Sequence, residues 1–207
     1  MDIFVPSRCT FCRRKLPAGK TGICDECRSS LPYREPQCTD GDGYLDMVCA
    51  PLKYEGNVRS AISRYKFSGF TSYARPFGEL VAGCVRENIP NGYDLISWVP
   101  LSSERLAERG YDQAMLIALS AALELGDVAV ETLRRTRHSS PQSGTQDAAS
   151  RRANVSGAYE IIDAELVRGK RVLLIDDIIT TGSTAGECAH MLRDAGAVGV
   201  ICATLAR

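Results

Sequence analysis

The chain has 207 residues, 44% of them hydrophobic and 24% charged, and its 25 basic residues balance its 25 acidic ones. This is enough apolar mass for one ordinary domain, or one domain with a small appendage, and zero formal charge offers no electrostatic case for nucleic acid or an anionic membrane surface. No apolar run approaches the roughly 18–20 residues of a membrane span, and the first nine residues lack the charged and apolar regions of a signal peptide. The expected location is the cytoplasm, where clustered cysteines point to metal more than to disulfides.

Residues 1–50 stand apart. They contain Cys9, Cys12, Cys24, Cys27, Cys38 and Cys49 with little periodic pattern. Cys9-x-x-Cys12 and Cys24-x-x-Cys27 are two knuckles with eleven residues between them. A two-residue gap lets both thiolates of a knuckle face one ion, and two knuckles complete a closed tetrahedral structural zinc site. The alternative is a set of reduced thiols in a site that has lost its metal. A segment this small buries little core, so metal would supply its folding energy. Cys38 and Cys49 lack a partner at knuckle spacing and read as plain buried or spare thiols. The organisation expected is a zinc-binding module over 1–50 and an α/β domain over 51–207.

From Tyr54 the pattern becomes regular. Val58, Ala61, Ile62 and Tyr65 are spaced for one helix face, and Lys66-Phe67-Ser68-Gly69 reads as its exit. Phe77, Leu80, Val81, Cys84 and Val85 mark a second helix, closed before Pro90. Leu95 to Val99 is a short apolar run bounded by turn residues, hence a buried strand. Ala114, Ile117, Ala118, Ala121, Ala122 and Leu125 define a third helix with Gly126 as its cap, and Val128 to Leu133 reads as another strand.

Arg134 to Asn154 lacks periodicity and is too long for an ordinary connection. Arg134, Arg135, Arg137, Arg151 and Arg152 face one acid, Asp147. It reads either as a lid that closes over an anion or as a solvated loop. A strand over Ala158 to Ile162 follows. After the stretch Val172 to Thr184, a helix carries Ala185, Cys188, Ala189, Leu192 and Ala195 on one face, and Val198 to Ala203 is a last strand. Strands alternating with helices from residue 95 predict a parallel sheet with ligands beyond the carboxyl ends of its strands.

Val172 to Thr184, VLLIDDIITTGST, carries the chemistry. An apolar strand delivers Asp176 and Asp177 to its carboxyl end, then turns through small residues into a helix N-terminus. Orphan N–H donors and the helix dipole there favour a phosphate. The acid pair suits sugar hydroxyls or a hydrated magnesium ion held by one or two carboxylates. Phosphate, diol and metal together describe a ribose phosphate. The bland alternative, an acidic turn with a hydroxyl helix cap, accounts for one hydroxyl residue but not for the acid pair and four hydroxyls together.

The stretch resembles the 5-phosphoribosyl-1-diphosphate (PRPP) signature of type I phosphoribosyltransferases. The resemblance implies that Asp176 and Asp177 bind the ribose hydroxyls, through magnesium or directly, and that Thr180, Thr181, Gly182, Ser183 and Thr184 cradle the 5′-phosphate. Val99-Pro100-Leu101, Arg105, Arg109 to Gln113, Gln142, Arg151-x-x-Asn154-Val155, Gly157-Ala158-Tyr159, Tyr54-x-Gly56 and Lys66-Phe67-x-Gly69 are similar to the ComF family of competence-associated proteins, as is the four-cysteine module. A further Cys-x-x-Cys-Gly of that family is reduced here to Cys38-Thr39-Asp40-Gly41. The family implies a type I phosphoribosyltransferase-like parallel sheet with flanking helices. It also implies pyrophosphate contacts from Arg109 and Arg105, which would make Asp176, Asp177 and Arg109 the catalytic group; each arginine reads alternatively as part of a solvated helix face.

Enzymes acting on 6-oxopurines carry an Asp general base where this chain has Thr180, and threonine has no useful pKa for that role. His138 is available in the basic segment, although a lone loop histidine is usually exposed and inert. His190 reads as a surface residue. Two functions follow: phosphoribosyl transfer to an unidentified acceptor, or PRPP binding without transfer beside DNA-uptake machinery proteins. Nucleic-acid binding by the zinc module is disfavoured, since residues 1–50 hold seven basic and seven acidic residues.

Overall fold

A computed structural model describes residues 7–90, 92–136 and 158–207. Its central sheet has five strands in the order β1 (Cys38–Asp40), β2 (Met47–Cys49), β7 (Gly199–Ala206), β6 (Arg171–Ile178) and β3 (Leu95–Trp98). The pairs β2–β7, β7–β6 and β6–β3 are parallel, and β1 is antiparallel at the edge. The parallel sheet expected from the sequence is therefore present, with residues 38–49 of the cysteine-rich segment supplying two of its strands.

Strand β6 is buried on both faces, which is why it reads as a continuous apolar run. Leu173 and Ile175 enter one core, with α2 (Gly56–Phe67), α3 (Ala74–Asn88) and α5 (Gln113–Leu125). Val172 and Leu174 enter the other, beneath α7 (Ser183–Asp194). Helix α5 starts where the Asp112 carboxylate accepts from the Met115 amide at 3.0 Å, and it ends at Gly126 with φ 74°. The remaining helices are short: α1 (Asp25–Ser30), α4 (Ser103–Arg109) and α6 (Ala164–Val167). No helix among the described residues is long and apolar enough to cross a membrane.

Helices α3 and α5 meet at Gly78. A Cβ there would stand 2.4 Å from Ser120 Cβ and 2.8 Å from the Ala121 amide nitrogen, so two backbones approach through the missing side chain. Gly78→Ala is expected to lower stability by about 1–3 kcal/mol through overpacking. Thermal unfolding checks this, because helix propensity alone would shift the melting temperature upward.

Three expectations are corrected. The strand expected over Val128 to Leu133 reduces to a single bridge between Ala129 and Ile96. The strand proper is β4 (Leu133–Arg135), which pairs antiparallel with β5 (Tyr159–Ile161) in a separate two-stranded sheet. The last strand runs three residues beyond Ala203, to Ala206, because Leu205 and Ala206 join the core. Cys38 and Cys49 are not spare thiols: they are register partners across β1 and β2 and form a disulfide, with Cα atoms 4.1 Å apart.

The cysteine module shares the core of the body. Phe11 is 1% exposed and meets the Phe77 ring at 6.0 Å between centroids. Arg64 on α2 donates from Nη2 to the carbonyls of Thr10 and Phe11, both at 2.9 Å.

Candidate phosphate-binding site and metal centre

Strand β6 lies between β7 and β3, and its last residues carry the acid pair. Asp177 is buried, Asp176 is half-buried, and an Asp176 carboxylate oxygen accepts from the Asp177 amide at 2.8 Å. Burial, reinforced by the neighbouring Asp177 carboxylate, pushes the Asp176 carboxyl well above the usual carboxylate range. The chain then turns through Thr180 to Gly182, whose φ of 74° opens α7. Thr181 Oγ1 and Ser183 Oγ lie 3.0 Å apart. Thr180, Thr181, Gly182, Ser183 and Thr184 all line a niche of about 60 Å³ at the N-terminus of α7, next to Asp176.

That niche adjoins a cavity of about 270 Å³ which also contains Asp176, Asp177, Thr180 and Thr184. Arg105 and Arg109 enter it from α4, so both arginines stand beside the acid pair. They sit on a short helix, started by Ser102 and ended by Gly110 with φ 78°. Arg109 donates from Nη1 to Gln113 Oε1 at 2.6 Å, and its guanidinium lies 5.2 Å from the Phe67 ring centroid. Its Nε is buried without a hydrogen-bond partner, as are those of Arg34 and Arg64. Asp112, at the same cavity, is a structural cap that accepts from the amides of Leu101 and Met115.

Two cationic residues of the cavity were not assigned to it by the sequence. Arg135 reaches it from β4, with its guanidinium 5.5 Å from the Tyr159 ring centroid. Lys66, at the end of α2, places Nζ 2.9 Å from Asp177 Oδ1. Lys66-Phe67-x-Gly69 entered the sequence reading only as a family resemblance. What brings Lys66 to the acids is a pair of tyrosine bonds. Tyr65 Oη donates to the Gln113 carbonyl at 3.0 Å, and the Tyr111 hydroxyl donates to the Tyr65 carbonyl. His190 lies away from the cavity, 3.2 Å from Asp194 and stacked on Tyr44. Residues 137–157, with His138, Gln142, Arg151, Arg152 and Asn154, lie outside the described residues.

A larger cleft of about 790 Å³ adjoins the cavity and shares Pro100, Leu101, Asp112 and Arg135 with it. Trp98, Leu106 and Met115 give the cleft an apolar wall, with Glu131, Arg134 and Glu160 at its polar side.

The four knuckle cysteines converge. The Sγ atoms of Cys9, Cys12, Cys24 and Cys27 all lie within 4.8 Å of one another, with Cys12 and Cys24 3.7 Å apart. A tetrahedral zinc with Zn–S near 2.3 Å sets its sulfurs about 3.8 Å apart, so the donor set fits zinc. The amides of Cys24 and Cys27 point at Cys9 Sγ and Cys24 Sγ, each at 3.4 Å, the outer-shell support that sulfur ligands of a metal receive.

Comparison with known proteins agrees with both halves of this description. The phosphoribosyl transferase domain family matches residues 111–207, and the double zinc ribbon domain family matches residues 1–41. With the four-cysteine cluster, the latter supports a structural zinc; among the described residues this is the single group of three or more metal-ligating side chains. The chain is 30% identical to Competence protein F of Haemophilus influenzae over 93% of both sequences. It is 30% identical to the DNA utilization protein YhgH of Escherichia coli K12, over 97% of this chain and 99% of that one. Competence protein ComFC of Streptococcus pneumoniae is 29% identical over 91% and 78% of the two chains. Identity of 30% sustained along nearly the whole of both sequences places the chain in the ComF family of competence-associated proteins, α/β proteins with a phosphoribosyltransferase fold and an N-terminal zinc module.

Proposed function

We propose that the protein binds PRPP with magnesium and transfers its phosphoribosyl group, with release of pyrophosphate, to an unidentified acceptor. The observation that carries this reading is the convergence of unlike groups on one cavity. Asp176 and Asp177, Thr180 and Thr184, and Arg105, Arg109 and Arg135 all line it. A ribose diol, a 5′-phosphate and a diphosphate need these three kinds of group side by side.

In this reading the 5′-phosphate occupies the niche at the start of α7, where amides and hydroxyls donate to it. Asp176 and Asp177 take the ribose hydroxyls. The residues fit magnesium, since Asp177 already holds a cationic group at 2.9 Å and two carboxylates plus ligand oxygens are the usual protein share of such a site. When bound, magnesium neutralises the diphosphate and lowers the cost of its departure. Arg105, Arg109 and Arg135 stabilise the negative charge that accumulates on pyrophosphate as the C1–O bond breaks. The apolar wall of the adjoining cleft excludes water and gives an acceptor a route to C1. Thr180 supplies no base, so the acceptor must be nucleophilic without deprotonation by that residue.

A second reading, binding without transfer, is favoured by the same Thr180 and by the names of the relatives, which refer to competence and DNA utilization rather than to a transfer reaction. Calorimetry with magnesium and PRPP tests both: saturable binding is expected, and its absence sinks both. A panel of nucleobases and amines, read by pyrophosphate release, then separates them. Release above slow hydrolysis for one acceptor is the transferase outcome. No acceptor above that background leaves the accessory reading.

A further inference from the structure

Lys66 and Asp177 form the most enclosed ion pair among the described residues, with side chains 20% and 11% exposed and Nζ 2.9 Å from Oδ1. Pairs such as Arg14–Glu26, at 60% and 66%, keep their solvation and contribute little. Enclosing two charges carries a desolvation cost that their attraction must offset. That cost is not needed to hold α2, which is already tied down by the Tyr65, Tyr111 and Arg64 hydrogen bonds.

The ammonium serves the cavity instead. It flanks Asp177 where a small hydrated cation would sit, and its charge also reaches Asp176. Besides Lys66, the charged groups facing this space are Arg105, Arg109 and Arg135, with Asp112 as a further acid. A lysine ammonium is a compact point charge on a flexible four-carbon stem, so it can swing while its backbone stays fixed. The next residue, Phe67, supports the Arg109 guanidinium, so the last turn of α2 serves two cations at one site.

We propose that Lys66 is an exchangeable counterion of the acid pair: it neutralises Asp177 in the ligand-free protein, yields that place to magnesium arriving with PRPP, and turns its ammonium onto the diphosphate oxygens. This rests on the PRPP reading above. It assigns Lys66 two opposed effects, weakening the binding of free magnesium and strengthening that of the magnesium–PRPP complex.

The test is calorimetry on the zinc-loaded full chain with magnesium alone and with magnesium–PRPP, for wild type, Lys66→Met and Lys66→Arg, with melting curves confirming the fold. Lys66→Met is expected to bind magnesium alone about tenfold more tightly, because the competing positive charge is gone. The same variant is expected to bind magnesium–PRPP about 30-fold more weakly or worse, with Lys66→Arg recovering most of that loss. A packing role would move both affinities the same way or neither, and either result overturns the proposal. If wild type binds no PRPP, the function proposed above fails, and the magnesium comparison alone decides for or against the counterion. Asp177→Asn gives an independent arm should Lys66→Met not fold. Freeing the ammonium is expected to tighten metal-free pyrophosphate binding, and unchanged or weaker binding counts against the proposal.

Discussion

Replacing Asp176 and Asp177 together by Asn is expected to abolish magnesium-dependent PRPP binding while the protein stays folded. Both carboxylates line the cavity at the end of β6, and each would make charge-assisted bonds worth about 1.5–3 kcal/mol to hydroxyl or metal. Losing two such bonds weakens binding by roughly 10²–10⁴-fold. Asn keeps the side-chain volume, and its carbonyl oxygen can still accept from the amide of residue 177 as Asp176 does at 2.8 Å. An uncharged side chain at position 176 also avoids the desolvation cost that drives the Asp176 pKa upward. The Lys66 ammonium loses its partner in the double variant but can turn toward solvent on its flexible stem, so the melting temperature is expected to fall modestly while binding is lost. Calorimetry that finds wild-type affinity in the double variant would remove the acid pair from the site.

Stripping the metal from the four-cysteine cluster, by chelation or by Cys24→Ser, is expected to cause the largest loss of structure. Structural zinc contributes an apparent free energy on the order of 10–16 kcal/mol in isolated zinc-finger peptides. The short knuckle segment has few buried side chains of its own, among them Phe11, Leu16 and Ile23. Its loosening uncovers Phe77 and releases the Arg64 bonds to the Thr10 and Phe11 carbonyls. Because Arg64 and Lys66 share the last turns of α2, the damage reaches the cavity. One zinc per chain, a lower melting temperature after chelation, faster amide exchange from residue 7 to residue 31 and weaker PRPP binding are the expected readouts. A metal-free protein that melts and binds like the loaded one would show that the cysteines hold no structural ion.

Much of the site was legible because its chemistry is local. The strand, acids, small-residue turn and helix start of β6 and α7 are consecutive, so apolar run, acid pair and glycine could be read together. The cysteine knuckles were legible for the same reason, since two-residue spacing already brings each pair of sulfurs to one ion. Arg109 and Arg105 were named from resemblance, and the observed cavity contains both. Lys66 and Arg135 were not assigned to that cavity from the sequence. A lysine at a helix exit looks like any solvated residue until the packing of α2 is known. Arg135 lies in a basic segment that reads either as a lid over an anion or as a solvated loop, where the structure has the strand β4.

The sequence by itself determined the α/β class, the acid pair and small-residue turn at the end of β6 and the four-thiol cluster, because each follows from residues close together in the chain. Tertiary structure decided the rest. β1 and β2 complete the sheet edge, and their register makes Cys38 and Cys49 a disulfide. β4 and β5 leave the parallel sheet to pair with each other. These strands are three residues long; β5 was expected within Ala158 to Ile162, but β1, β2 and β4 are too short for periodicity to reveal, and long-range hydrogen bonding alone assigns each of the four a partner. The same long-range packing sets Lys66 against Asp177 and gives the acid pair its counter-charge.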